Sequence, residues 1–128
     1  MRYLLDTHAF LWFVLDDKRI SIEAKSKIED SKNTIYFSAA SAWEMAIKTR
    51  LARLKIIGDF ESFIIEQLST NSFVPLSITI SHSLYTERLP QIHKDPFDRI
   101  IIAQSKLEDL PLISKDKKIR KYKVTMVW

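Results

Sequence analysis

The chain has 128 residues, 46% of them hydrophobic and 28% charged, a balance that suits one folded domain over residues 1–128 and excludes the apolar-poor signature of disorder. Lysine and arginine outnumber aspartate and glutamate by 20 to 16, for a net charge of +4, which leans toward an anionic partner such as nucleic acid. Cysteine is absent, so disulfides, thiolate metal sites and cysteine nucleophiles are excluded, and any metal must sit on oxygen or imidazole.

The first apolar run, Tyr3-Leu4-Leu5, has the length of a buried strand and ends on Asp6. It has no basic leader or cleavage site, and no later apolar stretch approaches the span of a bilayer. A cytoplasmic protein without a membrane partner is therefore expected. Helical patterns follow over Thr7–Leu15 and Ser21–Asp30, then a second strand over Thr34-Ile35-Tyr36-Phe37. The next helix is expected over Ala40–Leu54, with Ala42, Met45, Ala46, Leu51 and Leu54 on its apolar side. Phe60–Ser69 reads as a helix, Phe73-Val74-Pro75-Leu76 as the third strand, and Ile78–Leu89 and Pro96–Glu108 as helices. Leu112-Ile113 and Val124–Val127 complete five strands.

Strands that alternate with helices imply right-handed crossovers, hence a three-layer α/β/α architecture around a five-stranded, mainly parallel sheet. Such sheets bind ligands beyond the carboxyl ends of their strands, where the strand order reverses. Asp6 directly follows the first strand, and Ser114-Lys115-Asp116 directly follows the fourth. Glu44 and Asp98 lie near the starts of the helices beginning at about Ala40 and Pro96.

Converging carboxylates suit magnesium or manganese, which prefer oxygen ligands, and such a cation can activate water and offset the charge of a phosphodiester under attack. Asp6, Glu44, Asp98 and Asp116 are the candidate set. Each also has a plainer reading. Asp6 could cap the helix at Thr7, and Asp116 a short helix through Arg120. Ser41 and Glu44 stand in capping-box spacing, while Asp95, Pro96 and Asp98 spell a capped helix start. Four acids on one rim, however, would repel one another unless a cation offset the field.

Tyr3-Leu4-Leu5-Asp6-Thr7-His8 with Leu11-Trp12, then Ser41-Ala42-Trp43-Glu44, then His93-Lys94-Asp95-Pro96-Phe97-Asp98-Arg99 with Ile102-Ala103-Gln104, then Ile113-Ser114-Lys115-Asp116 together resemble PIN-domain toxins of the VapC type. The likeness runs along essentially the whole chain. It implies a magnesium- or manganese-dependent endoribonuclease of a type II toxin–antitoxin system, with Asp6, Glu44, Asp98 and Asp116 as catalytic and metal-binding acids and Asp95 as a less certain addition. RNA as substrate, a small cognate antitoxin and a homodimer are implied as partners.

Two basic clusters, Lys48, Arg50, Arg53 and Lys55, and Lys115, Lys117, Lys118, Arg120, Lys121 and Lys123, could hold RNA phosphates or simply be solvated faces. His8 and His93 neighbour Asp6 and Asp98 and could orient a water or a phosphate, but no nucleophile beside them marks either as a general base. Thr7 and Ser114 offer hydroxyls to align carboxylates, or are ordinary cap and turn residues. Trp12, Phe13 and Trp43 read first as core, with a dimer face or antitoxin groove as the other use. The rival function is a non-catalytic RNA-binding module on the same fold, against which the full set of four acids argues. A phosphatase or nucleotide hydrolase lacks support, because there is no glycine-rich phosphate loop and no second aspartate two residues after Asp6.

Overall fold

A computed structural model describes the chain from Met1 to Trp128. Five strands, β1 (Arg2–Leu5), β2 (Thr34–Ser38), β3 (Val74–Leu76), β4 (Leu112–Ile113) and β5 (Met126–Val127), form one sheet in the order β3-β2-β1-β4-β5. Every neighbouring pair is parallel. The order reverses between β1 and β4, where Leu5 pairs with Ile113. Asp6 and Ser114 therefore leave the sheet side by side at the switch point.

The helices are α1 (Thr7–Val14), α2 (Ile22–Glu29), α3 (Ala39–Arg50), α4 (Phe60–Thr70), α5 (Ile80–Tyr85), α6 (Pro96–Leu107) and α7 (Lys117–Arg120). Alternation along β1 divides the core. Tyr3 and Leu5 face a cluster with Phe10 of α1, Ile28 of α2 and Ile64 of α4, whereas Leu4 faces Ile101 and Ile102 of α6 and Ile119 of α7. The expected three-layer α/β/α architecture is thus present. No helix is long and apolar enough to cross a membrane.

Two expected boundaries move for physical reasons. The helix expected over Ala40–Leu54 starts at Ala39, because the hydroxyl of Ser38 at the end of β2 accepts the N–H of Ala40 at 3.0 Å. It stops at Arg50, since Ala52 turns left-handed (φ 58°) and Arg53 N–H closes back on the carbonyl of Lys48 at 2.8 Å. The same closure ends α1, α4 and α6 at Asp16, Ser72 and Asp109, all non-glycine residues at positive φ. The segment expected as a helix over Ile78–Leu89 is α5 followed by a single 3-10 turn over Thr86–Arg88.

Candidate metal centre at the sheet switch point

Asp6 occupies the residue between β1 and α1. Its Oδ1 accepts the N–H of Ala9 at 2.7 Å, capping α1. Asp116 stands likewise between β4 and α7, with its Oδ1 accepting Lys118 N–H at 2.8 Å. The capping reading therefore holds for both, yet the cap engages Oδ1 alone and leaves each carboxylate's other oxygen able to serve elsewhere.

Glu44 is in the second turn of α3, so the capping-box pairing with Ser41 does not form; Ser38, three residues earlier, is the cap. Only 6% exposed, Glu44 is held from both sides. Thr7 Oγ1 lies 2.8 Å from Glu44 Oε1 and 2.9 Å from Ser41 Oγ. A carboxylate can only accept, so Thr7 donates to Glu44 and takes its own hydrogen bond from Ser41. On the other side Lys48 Nζ sits 3.0 Å from Glu44 Oε2, one helical turn along.

The fourth acid, Asp98, is the third residue of α6. Asp95 is that helix's cap, accepting from Phe97 and Asp98 N–H at 2.8 and 3.1 Å. Asp98 itself caps nothing. Its Oδ2 instead lies 2.8 Å from His93 Nε2, and Asp116 Oδ2 lies 3.5 Å from the same nitrogen. The helix start at Pro96 thus delivers Asp98 to the rim where β1 and β4 end.

The four acids act on one another electrostatically. Burial first, then the negative charges of Asp95, Glu44, Asp6 and Asp116, push the Asp98 carboxyl up to about 8. Asp6 is pushed up to about 6, chiefly by burial, against the opposing pull of the Ser114 hydroxyl, the Ala9 N–H and His8. A site where four neighbours oppose ionisation of one acid is short of positive charge. The donors are hard oxygens with one imidazole, and atoms of His93, Asp98 and Asp116 lie within 4.8 Å of one another. This chemistry fits a divalent cation such as magnesium or manganese.

The second basic cluster is exposed from Lys115 through Lys117, Lys118, Arg120 and Lys121 to Lys123; Lys115, Lys117 and Lys118 flank Asp116, whereas Lys123 lies beside Pro111 and Thr125 at the opposite edge of the sheet. Lys115 Nζ lies 4.8 Å above the ring of Trp12, which Arg19 also approaches at 5.0 Å. Lys48 of the first cluster is committed to Glu44 instead. Trp12 is core, as expected, but Trp43 is 59% exposed and packs edge-to-face with Phe97, the ring centres 5.0 Å apart. Sequence spacing could have found the Lys48–Glu44 pair at i, i+4. Nothing in it marked where the ring of His93 points.

The sequence profile of the PIN domain family matches residues 3–124. Ribonuclease VapC16 of Mycobacterium tuberculosis is 33% identical over 63 residues, which are 49% of this chain and 45% of that protein. The chain thus matches under half the length of this curated relative. VapBC2 from Rickettsia felis, bound to a DNA fragment from their promoter, superposes with a TM-score of 0.73 at 16% identity over 99% of this chain and 98% of the other. FitAcB from Neisseria gonorrhoeae gives 0.63, also at 16%, over 100% and 97%. At such identities these two structures establish the fold.

Proposed function

The chain belongs to the PIN domain family, and from that premise we propose that it is a metal-dependent endoribonuclease, the toxin of a type II toxin–antitoxin pair. The single observation that carries this reading is the gathering of Asp6, Glu44, Asp98 and Asp116 at the β1/β4 switch point, where burial first and then the charges of its neighbours push Asp98 up to about 8. These four acids would hold magnesium or manganese. Bound there, the cation would supply an activated water and offset the charge that develops on the phosphate.

The chain's own residues do the rest. The caps made by Asp6 and Asp116 fix where those carboxylates stand, and Thr7 with Lys48 fixes Glu44. Asp98 must release its proton before it can act as a ligand, which ties metal affinity to pH. The exposed lysines beside Asp116, Lys115, Lys117 and Lys118, suit the backbone phosphates of RNA, giving affinity with little sequence information. VapC16 is by name a ribonuclease, and the resemblance to VapC-type toxins adds a cognate antitoxin, a homodimer and a cytoplasmic setting to the proposal, with residues 1–128 as one PIN domain.

The test is cleavage of a structured RNA by the purified chain in chelator, magnesium or manganese. Cleavage should appear with either metal and vanish in chelator. Equal cleavage in chelator would remove the proposed mechanism.

A further inference from the structure

His8 and Trp12 stand one helical turn apart on α1, and their rings are stacked, with centres 5.5 Å apart and planes 24° from parallel. The two differ in burial. Trp12 is only 8% exposed and meets Trp128 edge-to-face, the ring centres 5.7 Å apart, whereas His8 is exposed. The buried ring holds the outer one flat, so the surface that the stack turns to solvent is that of an imidazole.

The stack stands beside the acids. His8 lies in the first turn of α1, the turn that Asp6 caps. Lys115, the residue before Asp116, brings its Nζ to 4.8 Å from the centre of the Trp12 ring. The exits of β1 and β4 therefore each send one group to Trp12, a flat ring from the first and an ammonium from the second. Arg19 also lies over Trp12, at 5.0 Å, but its guanidinium is closed on Asp17, with Nε and Nη2 donating at 3.1 and 2.8 Å. Lys115 is in no salt bridge. Core packing accounts for Trp12 and not for the exposed ring on it. A solvent-facing ring with an unpaired cation alongside is the combination that takes single-stranded nucleic acid, the cation on a backbone phosphate and the π-face under a base.

We propose that the outer face of His8, held flat by Trp12, is a stacking site for one nucleobase of single-stranded RNA beside the phosphate that the acids would receive, with Lys115 on the adjoining backbone phosphate. The inference rests on the ribonuclease reading above and adds to it a contact with a base. Every base has a π-face, so the site selects unpaired nucleotides over duplex without choosing among the bases.

The experiment measures binding of a fluorescently labelled oligouridylate by anisotropy in chelator, where stacking persists and metal-dependent cleavage does not. Wild type, His8→Ala, His8→Phe and Lys115→Met are compared on this strand and on the same ribose-phosphate strand built without bases. His8→Ala should weaken binding of the oligouridylate by about 5–100-fold, and His8→Phe, which keeps a flat ring, should stay within about threefold of wild type. Neither should alter binding of the abasic strand. Lys115→Met should lower the slope of log affinity against log salt by about 0.7, the loss of one phosphate contact, and His8→Ala should leave that slope unchanged. Should His8→Ala fail to fold, the wild-type chain should still bind oligouridylate more tightly than the abasic strand. Wild-type affinity in His8→Ala, lost affinity in His8→Phe, a salt slope lowered by His8→Ala or untouched by Lys115→Met, equal wild-type affinity for the two strands, or no binding by a chain that still cleaves RNA with magnesium would each overturn the inference alone. A wild-type chain that neither binds RNA in chelator nor cleaves it with magnesium would overturn it together with the function it rests on.

Discussion

The Thr7 hydroxyl donates to Glu44 Oε1 at 2.8 Å across 37 residues of chain, joining the first turn of α1 to the second turn of α3 where both are buried. The bond makes the position of one candidate ligand depend on the helix that another, Asp6, caps. Replacing Thr7 by Val keeps the shape and deletes the donor, leaving a buried carboxylate oxygen under-served. Stability should fall by about 1–3 kcal/mol, measured by urea unfolding, and RNA cleavage should drop as Glu44 loses its anchor. Thr7→Ser should preserve both. Equal behaviour of the Val and Ser variants would show that the bond is idle.

The raised carboxyls set a pH dependence whose sign is opposite to that of an ion-paired aspartate. Asp98 and Asp6 bind protons more tightly folded than unfolded, so the folded state holds more protons between the ordinary carboxyl value of 3.8 and about 8. Metal-free stability is then greatest on the acid side of this window and is lost as pH rises through about 6 and about 8. Thermal melts in chelator should show this decline, and Asp98→Asn should flatten its upper part. Saturating magnesium, which binds the ionised carboxylates, should oppose it. A melting temperature that rises in chelator from pH 5 to pH 8 would contradict the crowding.

Much of the site is legible in local chemistry. An apolar run of strand length ending on an acid marks Asp6 and, through Ser114-Lys115, Asp116, because a parallel sheet puts strand ends on one rim. Asp95-Pro96 marks the start of α6 and hence Asp98 two residues on. Glu44 was less well placed by its spacing from Ser41, since the helix begins earlier, at the residue after Ser38, and the acid lies on an inner turn. His93 was least legible. The groups that hold its backbone, Arg99 and Tyr122, meet only after β4 and α7 have packed, and Tyr122 stands 29 residues away. Trp43 breaks the expectation of burial because α3 turns that position outward while Glu44 and Met45 face in.

The fold contains its own stability test at a site remote from chemistry. Ala52, exposed and at φ 58°, ends α3 in a conformation that costs an L-residue about 1–2 kcal/mol and glycine almost nothing. After the greater unfolded-state entropy of glycine is set against this, Ala52→Gly should stabilise the chain by about 0.5–1 kcal/mol. Cleavage should be unchanged. Destabilisation on urea unfolding would mean that the left-handed turn is not populated.

The central claim, that the four acids act together on a cation, is tested most directly by Asp116→Asn. Asparagine can still accept the N–H of Lys118 and cap α7, but it removes the charge a cation requires. The decisive measurement is metal-dependent cleavage of a structured RNA by this variant, read beside its melting temperature in chelator. The expected result is cleavage reduced at least about 100-fold, as for loss of a group central to catalysis, with melting in chelator unchanged or higher. Wild-type cleavage by a folded Asp116→Asn chain would contradict the claim.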